Sequence, residues 1–183
     1  YISFMAIILA ALAGVMLYYS FDHWVLLPIS AVVVLVSGFL DGLDGKVARL
    51  ASIADRRGDF LDHVLDRYAD MLMIGGVAVS AWCSPYLGMM ALIGVLLTSY
   101  MGTQAQAVGA KRMYAGILGR ADRIVLSFLI PLVQMVMVLM GHTEVELLGI
   151  QFNAFEIMML WFAVVGNLTA IQRAVITYNW LRK

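Results

Sequence analysis

Residues 41–66 read DGLDGKVARLASIADRRGDFLDHVLD. Asp41, Asp44, Asp62 and Asp66 stand at its two ends, and long apolar runs continue from both sides. Asp41 and Asp44 are spaced i,i+3, so they share a face where one helix ends. Asp62 and Asp66 are spaced i,i+4 and share a face where the next begins. The connection is short, which predicts two antiparallel neighbouring helices with their carboxylate pairs converging. A charged side chain at the centre of a membrane helix costs roughly 2.5–3.5 kcal/mol, so four together cost about 10 kcal/mol if simply summed. The compensation that fits is divalent metal, since carboxylates on facing helices build dinuclear sites in bundles. Oxygen donors without thiolates select hard cations, Mg2+ or Mn2+.

Composition decides the solvent. Of 183 residues, 63% are hydrophobic and 13% charged, against about 25% charged in soluble domains. The mean hydropathy is +0.90. We therefore expect an all-α polytopic membrane protein, a six-helix transmembrane bundle forming one domain over residues 1–183. A net charge of zero gives no basic field for nucleic acid. Cys83 is the sole cysteine, which rules out an intramolecular disulfide and leaves it a packing role.

Six segments have spanning length: 1–20, 24–44, 58–83, 85–109, 123–141 and 153–180. The opening run lacks a basic flank and a small-residue cleavage site, so it reads as a span and not as a signal peptide. Ser84-Pro85 marks a break, and Pro131 predicts a kink in the fifth span. All twelve Lys and Arg lie on one side. Lys46, Arg49, Arg56 and Arg57 follow the second span, with Arg67 just inside the third. Lys111, Arg112, Arg120 and Arg123 follow the fourth, and Arg173, Arg182 and Lys183 end the chain. The opposite loops carry only Asp22, His23, His142, Glu144 and Glu146. Positive residues stay inside, so the termini and the aspartates are expected at the cytoplasmic face of the cell membrane. Trp24, Trp82 and Tyr86 fit an interfacial belt at the other face.

Smaller residues around the aspartates point to a phosphate ligand. Gly42, Gly45 and Gly58 clear side chains where a polyphosphate approaches the backbone. Arg49, one turn beyond Gly45, is placed to hold a phosphate oxygen. Asp55 is a candidate cap for the third span. A single membrane aspartate serves an ion path about as readily as a metal; four in register with Gly45, Ala48, Arg49 and Gly58 do not.

The pattern Asp41-x2-Asp44-Gly45-x2-Ala48-Arg49-x8-Gly58-x3-Asp62-x3-Asp66 resembles the signature of the CDP-alcohol phosphotransferase family, with every fixed position filled. The resemblance implies transfer of a substituted phosphate from a CDP-linked lipid to an alcohol hydroxyl, with release of CMP. It implies that Asp41, Asp44 and Asp62 hold two cations, and that Asp66 completes the second metal site and acts as general base. It also assigns Asp44, Gly45, Arg49 and Gly58 to the CDP site. A homodimer belongs to the same expectation; the interfacial amphipathic helix that family members usually carry ahead of the first span is not read in this sequence.

The acceptor is read from the inner ends of the later spans. The stretch Thr98–Gln106 is polar and faces the aspartates. Arg120 and Arg123, i,i+3 at the start of the fifth span, and Arg173 in the sixth surround one cavity and point to a phosphorylated acceptor. This layout resembles archaeal and actinobacterial synthases that attach inositol phosphate; glycerol phosphate is the alternative within the family. Lys111 and Arg112 are expected at the surface, His63 in packing, and Asp70 in a pair with Arg67 or another polar neighbour. Two other classes compete. An ion-coupled transporter predicts charge spread over several spans and broken, repeated helices, whereas here the acids cluster at one membrane face in two spans. An intramembrane prenyltransferase places its two aspartate-rich motifs far apart in the chain.

Overall fold

The computed structural model describes residues 2–50, 56–111, 113–147 and 149–182, with the backbone alone given for residues 2, 44–50, 56, 59 and 147. Six helices account for most of it: α1 (Ile2–Tyr19), α2 (Leu26–Leu50), α3 (Arg56–Ala78), α4 (Pro85–Ala107), α5 (Arg120–Leu139) and α6 (Ala154–Leu181). Between α5 and α6 lies an antiparallel hairpin, β1 (Val145–Leu147) paired with β2 (Ile150–Phe152).

The helix limits follow local chemistry. Ser84 caps α4 by accepting a hydrogen bond from the Leu87 amide, and Pro85 takes the first helical position, where its missing N–H costs nothing. Asn153 and Glu156 form a reciprocal capping box at the start of α6. Helix α5 runs unbroken through buried Pro131.

Among the described residues, four helices are long and apolar enough to cross a membrane: Leu26–Leu43, Pro85–Ala107, Arg120–Leu139 and Ala154–Leu181. Ser3–Tyr19 is a shorter apolar helix, and α3 carries Asp62 and Asp66 of the signature together with Arg67 and Asp70. Large apolar side chains such as Ile8, Phe39, Val79, Leu139 and Ile171 point outward. Ser37, Asp66, Asp70, Thr98, Arg123 and Arg173 are buried inside. Polar inside and apolar outside is the distribution that a hydrocarbon surrounding demands.

The helices close into a ring in the order α1–α3–α4–α6–α5–α2, with α5 also touching α3 across it. This corrects one expectation: α2 and α3 make no extended packing contact among the described residues. Helix α1 packs on both instead. A Cβ on Gly14 would lie 2.1 Å from the Leu72 carbonyl oxygen, and one on Gly76 would lie 2.1 Å from that of Gly14. Backbones can approach this closely only where both side chains are absent. On the other side of α1, the Ser37 hydroxyl donates to the Ala6 carbonyl at 2.8 Å. Gly94 and Gly166 bring α4 and α6 together in the same way, with a Gly94 Cβ falling 2.6 Å from the Phe162 carbonyl oxygen.

Trp82 is a second correction. It is buried, donates its indole N–H to Ser20 Oγ at 2.8 Å, and packs against Phe21 and Phe155. Its indole donor found a protein partner and therefore needs no membrane interface. Trp24 and Tyr86 are exposed. Cys83 packs into the main core cluster.

Candidate active site

The inner end of the ring gathers acids from α2 and α3 and arginines from α5 and α6. Asp66 is 4% exposed; Asp41 is partly covered and Asp62 more open. The carboxylates are joined through α5. The Arg120 guanidinium hydrogen-bonds the Asp41 carboxylate, and the same nitrogen lies 2.5 Å from Asp66 Oδ1. That second contact is an ion pair without hydrogen-bond geometry, because Asp66 Oδ1 has no hydrogen bond in the structure. On its other oxygen, Asp66 has an Arg67 nitrogen at 3.5 Å.

One turn deeper, Asp70 Oδ2 lies 2.5 Å from Arg123 Nη1 and 3.8 Å from Arg67. Arg123 Nε also donates to the Gly119 carbonyl. Asp70 thus serves the partnership expected of it, although its nearer partner lies on α5 and not on its own helix. The Arg173 guanidinium donates to the Ala115, Thr98 and Tyr114 carbonyls.

Most of these groups line a cavity of about 270 Å3, whereas Asp41 and Asp70 line a separate, smaller one that shares Asp66 and Arg120 with it. Asp62, His63 and Asp66 line one side, Arg120, Arg123 and Arg173 the other, and Thr98, Ser99 and Gly102 of α4 contribute between them. Gln104 and Gln106, in the same polar stretch, are exposed. Gly58 lies exposed in the first turn of α3. The side chains of Asp44, Lys46, Ala48 and Arg49, and Asp55 and Arg112 entirely, fall outside the described residues, as does any side-chain environment at Gly45.

His63, expected in packing, stands in the site instead. Its ring lines the cavity, its Nδ1 lies 3.8 Å from Asp62 Oδ2, and one donor atom each from Asp62, His63 and Asp66 falls within 4.8 Å of the others. Adjacency to Asp62 was the available signal. A rotation of about 100° per residue separates neighbours on a helix, but the cavity is wide enough to be reached by both.

The donor chemistry fits a divalent cation. Asp66 is a buried carboxylate with an oxygen that makes no hydrogen bond, and Asp62 stands one turn away on the same helix. Hard oxygen donors in this number suit Mg2+ or Mn2+; His63 adds a nitrogen donor that Mn2+ tolerates better than Mg2+.

Comparison with known proteins gives a consistent result. The family model for CDP-alcohol phosphatidyltransferase matches residues 1–169. The chain is 33% identical over 152 residues to an archaetidylinositol phosphate synthase of Methanothermobacter thermautotrophicus, covering 83% of this chain and 70% of the relative. It is 29% identical over 145 residues to the Pyrococcus horikoshii enzyme of the same name, covering 79% and 67%. A Mycobacterium tuberculosis phosphatidylinositol phosphate synthase, solved with manganese and citrate, superposes with a TM-score of 0.73 at 20% identity, over 97% of this chain and 80% of that one. The same enzyme with CDP-DAG bound gives 0.69 at 23% identity, over 95% and 85%. These superpositions establish the shared fold.

Proposed function

This chain belongs to the CDP-alcohol phosphatidyltransferase family, and from that premise we propose that it makes an inositol-phosphate phospholipid. The donor is a CDP-linked lipid and the acceptor a phosphorylated polyol of the inositol phosphate type. The reading takes residues 1–183 as one membrane-embedded domain in which all six helices cross the bilayer. The one-sided distribution of Lys and Arg supports a site at the cytoplasmic face of the cell membrane. The family resemblance extends the reading to a homodimer, which crosslinking in membranes tests.

The observation that carries the proposal is the cavity shared by Asp62 and Asp66 with Arg120, Arg123 and Arg173. A pyrophosphate donor and a phosphorylated acceptor need opposite kinds of help within one space. The carboxylates Asp41, Asp44, Asp62 and Asp66 would hold two divalent cations, which when bound offset pyrophosphate charge and the charge developing on the leaving oxygen. Gly45, Arg49 and Gly58 take the CDP moiety, together with Asp44. The acceptor phosphate goes to the arginine side. There Arg120, the most exposed of the three, reaches it most easily.

In the chemical step the Asp66 carboxylate accepts the proton of the acceptor hydroxyl. The oxygen attacks the phosphorus that carries the lipid. The bond from that phosphorus to the bridging oxygen breaks, and its electron pair leaves on CMP. In-line geometry needs the acceptor oxygen and the departing CMP oxygen on opposite sides of that phosphorus, with Asp66 on the acceptor's side.

Release of CMP from CDP-lipid in membranes, with a panel of acceptors, tests the proposal. Inositol phosphate should support turnover and free inositol should not. Turnover with glycerol phosphate alone would move the chain to another branch of the family, and no CMP release with any alcohol would end the reading.

A further inference from the structure

Between α4 and α5 the segment 113–119 crosses the inner end of the ring without regular structure. It supplies Met113, Tyr114, Leu118 and Gly119 to the cavity wall, facing Asp62 and Asp66. A loop in that position has few contacts of its own to fix it, yet this one is fastened at nearly every residue. The Met113 amide donates to the Gly102 carbonyl at 3.4 Å. Arg173 Nε donates to the Ala115 carbonyl at 2.7 Å and Nη2 to that of Tyr114 at 3.4 Å. Arg173 Nη1 holds the Thr98 carbonyl of α4 at 2.6 Å, which ties the same guanidinium to the scaffold. The Leu118 amide donates to Thr169 Oγ1 at 3.3 Å, and the Leu118 side chain is fully buried.

Gly116 makes this path possible. Its φ is +121°, and a Cβ there would lie 2.2 Å from the Thr169 methyl carbon. Both the backbone region and the close approach exclude any other residue. The strap ends at Gly119, whose amide donates to Asp122 Oδ2 at 2.7 Å. Arg120 follows directly and Arg123 one turn later in α5, so the position of the strap bears on where both guanidiniums stand.

We propose that 113–119 is an acceptor-selecting strap, with Gly116 and Thr169 as positioning residues that set the distance between its wall and Asp66. The proposal rests on the reading that this cavity takes the acceptor. Gly116 and Thr169 carry no charge, so altering them leaves the electrostatic attraction for a phosphate as it was. What changes is where the wall and the arginines stand. Misplacement of a bound group by about 1 Å can cost about a hundredfold in rate, and the loss falls on the substrate that the wall positions.

The test uses the full chain in nanodiscs, with Gly116→Ala and Thr169→Val. Hydrogen–deuterium exchange of 113–119, measured without substrates, should rise in both variants while α2 and α3 keep their protection. In CMP-release kinetics the KM for inositol phosphate should rise about tenfold or more, with the KM for CDP-lipid unchanged and glycerol phosphate discriminated less strongly. An unchanged acceptor KM beside a loosened strap would overturn the proposal, as would equal losses for donor and acceptor. Should Gly116→Ala fail to fold, Thr169→Val carries the same comparison. Failure of the wild-type chain to use any acceptor would instead refute the proposed reaction, and the exchange measurement would still show whether Thr169 and Gly116 hold the strap.

Discussion

Asp70 and Arg123 meet 2.5 Å apart inside the helix ring, each almost fully buried. Their helices, α3 and α5, touch only lightly across the ring, so this pair, beside the Arg120–Asp66 contact, is a principal polar tie between them. Removing one partner of a buried pair leaves an uncompensated charge and costs about 3–5 kcal/mol. Asp70→Ala should therefore lower the melting temperature of the detergent-solubilised protein substantially. The double variant Asp70→Leu with Arg123→Met, which removes both charges, should recover much of that loss. A single variant that melts with wild type would show that the pair does not hold α3 to α5.

Asp66 is the deepest of the signature carboxylates whose side chains are described. As general base it should contribute about 10²- to 10⁴-fold to turnover. Asp66→Asn keeps the shape and one oxygen donor, so CDP-lipid binding should weaken far less than kcat. Equilibrium binding of CDP-lipid beside single-turnover CMP release separates the two. Turnover near the wild-type rate in this variant would remove Asp66 from the base role.

Much of the site was legible because its residues lie on one continuous stretch whose helical periodicity fixes their faces. Asp62 and Asp66 share a wall of the cavity, as their spacing requires. The α4 boundary at Ser84-Pro85 was equally local. What was not legible depends on contacts between distant parts of the chain. The short connection made α2 and α3 look like packed neighbours, whereas α1 lies against both through Gly14, Gly76 and Ser37. Trp82 looked interfacial by composition, and its burial depends on Ser20 and Phe155 from elsewhere. Arg173 read as a ligand for the acceptor phosphate, and its fork on three main-chain carbonyls has no sequence signal.

The α1–α3 crossing can be tested with adjacent glycines. A Cβ on Gly76 would collide with the Gly14 backbone, its nearest atom only 2.1 Å away, while one on Gly75 meets nothing within 4 Å. Gly76→Ala should destabilise by about 1–3 kcal/mol, the usual cost of overpacking. Gly75→Ala should be neutral or stabilising by up to about 1 kcal/mol, through helix propensity. Thermal unfolding in one detergent compares them directly. Equal melting temperatures would mean that α1 does not approach α3 as closely as described.

Arg120 occupies a contested position. Its guanidinium bridges the Asp41 and Asp66 carboxylates, which are proposed cation ligands, and it also lines the acceptor side of the cavity. A guanidinium and a divalent cation both seek these oxygens, so each should weaken the other there. Arg120→Gln removes the competing charge and keeps a hydrogen-bonding side chain. For a partly exposed pair worth up to about 1 kcal/mol, Mn2+ affinity should rise up to about fivefold, read by electron paramagnetic resonance titration in detergent. The same variant should bind inositol phosphate less tightly, because the positive group nearest the open cavity is lost. Chelation should also weaken inositol phosphate binding by the wild-type protein, because without the cation the carboxylates draw Arg120 away from the acceptor. In Arg120→Gln that dependence on metal should largely vanish. Mn2+ affinity unchanged by the substitution, with acceptor affinity reduced, would make Arg120 a phosphate ligand alone and not a competitor for the metal site.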